Sequence, residues 1–214
     1  MEKPILVSTE MVRAIQEGRK TQTRRVIKLP GKIGGLKMEN ITADDKDCIA
    51  FVEHFNPYGQ PGDHLWVRET WQGNRQRVAY RADMMSYGIA DTFNWITGES
   101  EENAKIFPSI VPQWKTIKWR PSIHMPRWAS RITLEVTGVR VERVQEITPE
   151  DCEEEGIESP FDVDDADWTA QSVWDMQMKG KFQKLWDSIN AKRGYSWAAN
   201  PWVWVIEFKK VEQR

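Results

Sequence analysis

The stretch that most constrains the fold is Arg131-Ile132-Thr133-Leu134-Glu135-Val136-Thr137, where apolar and polar residues alternate; the pattern continues through Val139, Val141 and Val144. A period of two sends successive side chains to opposite faces, so the segment is a long bent strand or a strand pair. The turn signal Tyr58-Gly59-Gln60-Pro61-Gly62-Asp63 leads into a second strand over 65–71, and further strands are expected over 4–8, 77–82 and 202–208. Helical signals are fewer. Thr9 can cap a helix over 10–16 with Met11, Ala14 and Ile15 on its apolar side, and Gly18 ends it. Thr148-Pro149-Glu150-Asp151 opens another over 148–155: a hydroxyl cap, then proline and acids in the first turn. Phe182, Leu185, Trp186 and Ile189 give helical spacing over 179–190. The sum is an α+β chain, mainly β: a mixed barrel or curled sheet with peripheral helices.

The 214 residues fit a single domain over 1–214, with an insertion near 83–113 where the pattern decays into Gly, Asn, Ser, Pro and scattered acids. Residues 30–50 and 158–172 read as loops. Hydrophobic residues at 40% can build a core. Lys and Arg total 30 against 32 acids, a net charge of −2 that argues against coating nucleic acid by charge but permits a local basic cleft. The 12 tryptophans suit cores and base-stacking platforms alike. Trp66, Trp186, Trp202 and Trp204 are assigned to the core; Trp71, Trp119 or Trp128 is expected to reach a cleft. Cys48, Cys152 and three histidines lack the spacing of a disulfide framework or a zinc site, so neither metal nor cofactor is expected. No apolar run suits a membrane span and no signal-peptide plan opens the chain, which leads us to expect a cytoplasmic protein with no membrane partner. The oligomeric state is left open.

Gly18-Arg19-Lys20-Thr21-Gln22-Thr23-Arg24-Arg25 places hydroxyls among four basic side chains. An ammonium near Thr23 could ease activation of its hydroxyl, and guanidinium forks suit phosphate or a carbonyl oxygen. The alternative is a solvated basic loop. Glu69 shares a strand face with Val67 and Trp71, so it is either paired with Arg24, Arg81 or Arg131, or aimed into a pocket. The run Asp151-Cys152-Glu153-Glu154-Glu155-Gly156 offers neighbouring carboxylates among which residue chemistry does not choose. Ser122, His124, Arg127 and Trp128 combine imidazole, guanidinium and a stacking ring in a proline-bounded loop suited to base and phosphate contacts. No Gly-rich phosphate loop, nucleophile elbow or HExxH helix is present.

Taken as a set, Lys3-Pro4-Ile5-Leu6, GRKTQTRR at 18–25, the 58–71 segment, Tyr80-Arg81-Ala82-Asp83, WRPSIHMPRWASRI at 119–132, LWDSINAKRGYSW at 185–197 and Asn200-Pro201-Trp202-Val203-Trp204 resemble ASCH-domain proteins of phages and prophages. The likeness implies a PUA-like β-barrel with helices at its ends and a cleft beside the first helix. Small bacterial relatives of that family include amidohydrolases that deacetylate N4-acetylcytidine with a Thr, Lys and Glu set. Their G-x-K-T-x-T-x-R motif looks like residues 18–25, which implies Lys20 as activator and Thr23 as nucleophile. Their acidic segment looks like 152–156 and implies Glu155. The chain departs from them in its greater length, its Trp-rich PSIHMPRW loop and the Arg24-Arg25 pair. The resemblance implies a hydrolase of an acylated pyrimidine nucleoside in an RNA-related cleft, working in the host cytoplasm if phage-encoded. Arg19, Thr21, Arg24, Arg25, Glu69, Trp71, Arg81, Ser122, His124, Arg127 and Trp128 are then candidate ligand contacts. The competing expectations are a binding module for RNA or a modified nucleotide, a ribonuclease, or a phage assembly protein.

Overall fold

A computed structural model of the chain describes residues 1–28, 55–75, 78–86, 118–159 and 168–211. In chain order its elements are β1 (Glu2–Leu6), α1 (Thr9–Gln16), β2 (Gln22–Val26), β3 (His64–Arg68), β4 (Trp71–Gly73), β5 (Val78–Tyr80), α2 (Arg81–Ser86), β6 (Thr133–Arg143), α3 (Pro149–Glu154), α4 (Trp168–Asn190) and β7 (Trp202–Val211). Five strands make one sheet in the order β1-β3-β6-β7-β2, and β4 pairs with β5 in a separate ribbon. β1 runs parallel to β3; the other pairs in the sheet are antiparallel. The protein is therefore mixed α/β and mostly sheet. Among the described residues the sheet does not close, so the expected barrel is replaced by an open sheet with β1 and β2 at its edges.

The alternating stretch forms the single strand β6, bent by a bulge between Val136 and Gly138 where it pairs with β7. β7 is an almost unbroken apolar run because it is buried on both faces. Val203 and Val205 pack under α3 and α4 with Ile147, Cys152, Trp174, Met178, Phe182 and Trp186. Trp202, Trp204, Ile206 and Phe208 point the other way, onto Val12, Ile15, Leu65, Val67, Leu134 and Val136.

Several boundaries differ from expectation. Ser8, whose side chain accepts from the Met11 N–H, caps α1 in place of Thr9. The 18–25 segment is not a turn: from Gln22 it is an edge strand, since β7 gives it a hydrogen-bonding partner on one side. The strand expected over 65–71 breaks after Arg68, and Trp71 opens the β4–β5 ribbon instead. Residues 119–128 are ordered as two 3-10 turns, Ser122–His124 and Arg127–Ala129. α4 begins well before the expected 179. Trp66 is half-buried, with the guanidinium groups of Arg68 and Arg127 over its ring. The loop expected over 30–50 and most of the 83–113 insertion lie outside the described residues, whereas Trp119 is described and half-buried. No helix among the described residues is long and apolar enough to cross a membrane.

Candidate functional site

The edges of the open sheet approach one another beside α1. Arg25 Nη2, on β2, donates to the Leu6 carbonyl at the end of β1 across 2.6 Å. A cavity of about 280 Å³ occupies this gap, walled by Leu6 to Ser8, Met11, Tyr58, β2 and the last turns of α4. Lys20, Thr23 and Glu155 all line it, together with Arg24 and Arg25.

Local structure brings them there. Gly18 takes a positive φ of 78°, which turns the chain out of α1, and the Lys20 N–H then donates to the Ala14 carbonyl at 3.0 Å. Lys20 bridges Glu155 in antiparallel fashion, and the Thr21 N–H donates to the Glu154 carbonyl at 2.8 Å. Glu155 is the C-terminal cap of α3, whose start is fixed by Thr148 and Asp151 in a capping box with Pro149 following the cap. Gly156, at φ 88°, closes the turn; a Cβ there would lie 2.9 Å from Ala14 Cβ and 3.2 Å from Lys20 Cβ. The close approach of α1, β2 and α3 thus depends on a glycine.

Lys20 Nζ donates to Glu155 Oε2 at 2.7 Å and to the Glu155 carbonyl at 2.8 Å. Arg24 Nη1 reaches Glu155 Oε1 at 3.5 Å, while its Nη2 donates to Asp151 Oδ2 at 2.8 Å and Glu142 Oε2 at 3.1 Å. Gln22 Nε2 and Arg140 Nη2 each donate to Asp151 Oδ1 at 2.8 Å. Behind the cavity, then, one carboxylate row organises Arg24, Arg140 and Gln22. Lys20, Thr23, Arg24 and Glu155 are all buried. The Thr23 hydroxyl makes no hydrogen bond to another described residue and faces the cavity. Burial pushes the Lys20 ammonium below its ordinary 10.5; Glu155 pulls upward by charge and hydrogen bond, and Arg25 and Arg24 add to the lowering. The geometry can therefore supply a threonine hydroxyl, an amine whose hold on its proton is weakened by burial, and a carboxylate fixed against that amine.

The other candidate residues are distributed differently. Arg19 is exposed and bonds Glu17 and the Gly156 carbonyl. Thr21 is exposed, with its carbonyl accepting from the Phe208 N–H. Glu69 is buried away from the cavity and is held by Arg131, at 3.0 Å and 3.2 Å, with Asp83 on the same guanidinium. Of the pairings left open for Glu69, Arg131 is the one formed. Trp71 is buried with Tyr80, Met125 and Ala129, so it does not reach the cleft. Trp128 is exposed, edge-on to Trp71 with ring centres 5.7 Å apart. Arg127 pairs with Glu2, and the Ser122 carbonyl accepts from Arg68. Neither these, nor exposed Arg81 and His124, line the cavity with Lys20.

Sequence reasoning missed Asp151, Glu142, Arg140 and Gln22 as the framework of Arg24. It also missed Tyr58, Lys28 and Arg193 as cavity lining, and read the α4 residues Phe182, Leu185, Trp186 and Ile189 purely as core. Helical spacing was the available signal for the last group, but it marks a face without saying whether a cavity interrupts what covers it. Among the described residues no cluster of His, Cys, Asp and Glu could hold a metal ion. No family model, no curated protein and no solved structure matches the chain.

Proposed function

We propose that the protein is a hydrolase of an acylated pyrimidine nucleoside of the N4-acetylcytidine kind, with Thr23 as nucleophile and Lys20 as its base. The observation that carries this is the convergence of Lys20, Thr23 and Glu155 on one cavity, with Lys20 Nζ 2.7 Å from the Glu155 carboxylate. The same reading takes the curled sheet with its flanking helices as a PUA-like, ASCH-type fold.

In this scheme Thr23 Oγ1 adds to the acetyl carbonyl carbon as its proton passes to neutral Lys20 Nζ. Glu155 stabilises the resulting ammonium. The carbonyl then reforms, the C–N bond breaks, and the exocyclic amine leaves with the proton from Lys20. Water cleaves the threonyl ester, releasing acetate and restoring the hydroxyl. Lys20 is suited to both transfers because burial brings it nearer to neutrality than a solvated lysine.

The test is cytidine release from N4-acetylcytidine by the wild type, Thr23→Val and Lys20→Met. Each variant should lose roughly a hundredfold or more in rate while keeping its circular dichroism spectrum. If the wild type binds acylated nucleosides but turns none over, the cleft is a binding module. If Lys20→Met matches the wild type, the assignment of the base is wrong.

A further inference from the structure

The charges around the cavity do not balance. Its lining holds Lys20, Arg24, Arg25, Lys28 and Arg193 against the single carboxylate of Glu155. Glu155 answers Lys20, and Arg24 is satisfied by Glu155, Glu142 and Asp151. Arg25, Lys28 and Arg193 have no carboxylate partner among the described residues. Arg25 is the telling one. Its Nη2 is spent on the Leu6 carbonyl, while its Nε is buried with no hydrogen-bond partner. A guanidinium withdrawn from water with open donors carries a desolvation cost that an anion would offset. This surplus occurs in a chain whose net charge is −2, so it is local to the cavity. Lys28 lies beyond the end of β2 and Arg193 in the turn that follows α4, and both line the same cavity as Thr23. At about 280 Å³ the cavity has the scale of one small ligand.

We propose that the cleft takes a phosphorylated pyrimidine nucleoside, a single nucleotide whose phosphate is held by Arg25, Lys28 and Arg193, in preference to the free nucleoside. The proposal rests on the cleft being a nucleoside site and is independent of turnover. The aromatic and apolar wall of Tyr58, Phe182 and Trp186 supplies a surface for the base and sugar, and the cations supply the end that discriminates.

Isothermal titration calorimetry with unmodified ligands tests it, since cytidine and cytidine 5′-monophosphate carry no acetyl group to remove. The monophosphate should bind at least tenfold tighter than cytidine, and the gap should narrow as salt rises. Lys28→Gln and Arg193→Gln alter exposed side chains, so they should fold; each should shrink the gap, and Arg25→Gln should shrink it further. Equal affinities for the two ligands, or a gap that survives the double Lys28→Gln/Arg193→Gln variant, would overturn the proposal. Inorganic phosphate binding as tightly as the monophosphate would assign the cations to free phosphate. A cytidine trinucleotide binding tenfold tighter than the monophosphate would assign them to a polymer. Either result sinks the single-nucleotide reading. A clear monophosphate preference without any hydrolysis would sink only the hydrolase reading, and hydrolysis without a preference would sink only this one.

Discussion

Lys20 is held between opposing influences: burial lowers its proton affinity, and the Glu155 carboxylate raises it. The rate of the proposed deacetylation should therefore rise with pH as Lys20 loses its proton, with the rising limb below the ordinary lysine value of 10.5. Glu155→Gln removes the influence that holds the proton on, so the limb should move to lower pH; a pH–rate profile of both proteins checks this, and an unmoved limb would separate Glu155 from the base. The identity of the carboxylate was not legible from residue chemistry, because Glu153, Glu154 and Glu155 are equivalent as side chains. Position on a helix distinguishes them. Glu153 and Glu154 face solvent on α3, whereas Glu155 caps the helix and is drawn under by its bridge to Lys20. Lys20 and Thr23 were legible as chemistry but not as geometry: the basic stretch reads equally as a solvated loop, and only pairing with β7 makes an edge strand of it.

The short helix α3 joins several elements through Asp151. This carboxylate accepts the Thr148 N–H at 3.1 Å as part of the cap, and receives Gln22, Arg24 and Arg140 from the sheet. Burial would raise its proton affinity, but the Gln22 hydrogen bond, Arg24, the Thr148 N–H and Arg140 together hold it below the ordinary 3.8. A lowered carboxylate contributes stability that is complete above 3.8 and disappears as pH falls through the folded-state value. Urea denaturation should show Asp151→Ala losing less stability than wild type between neutral pH and pH about 3; parallel pH dependences would show that the network is not the source. The turn after α3 is more sensitive still. Gly156→Ala places a methyl group against Ala14 and Lys20 at a left-handed backbone, and should cost about 2–4 kcal/mol in the same assay. The cap itself was legible, since a hydroxyl, a proline and acids at 148–151 announce it. Its reach to Gln22 was not, because side-chain bonds between residues 129 apart in sequence leave no local trace.

Two polar centres stand out among the described residues. One is the cleft; the other is Arg131 with Glu69 and Asp83, beside the cluster of Trp71, Tyr80 and Met125. The second does not line the cleft, so disturbing it should change stability rather than chemistry. Trp128→Ala removes an edge-to-face contact on Trp71 worth about 0.5–1.5 kcal/mol beyond its area, and should lower the urea midpoint while the proposed deacetylation stays within about twofold, a change under half a kcal/mol. Loss of ligand binding at unchanged stability would return the 119–132 segment to the site. At this scale the mainly-β reading of the sequence was sound: the alternating β6 and the apolar β7 both form as strands. Closure into a barrel was not decided by alternation, which fixes the faces of strands and leaves their order unspecified. That order has a consequence for how the protein is made. Among the described residues β2 pairs with 203–207 alone, so while the chain leaves the ribosome the strand that carries Thr23 waits for a partner roughly 180 residues further on. At about 5–20 residues per second the wait lasts many seconds, and it ends only with β7, the strand that lies between β6 and β2 and pairs with both.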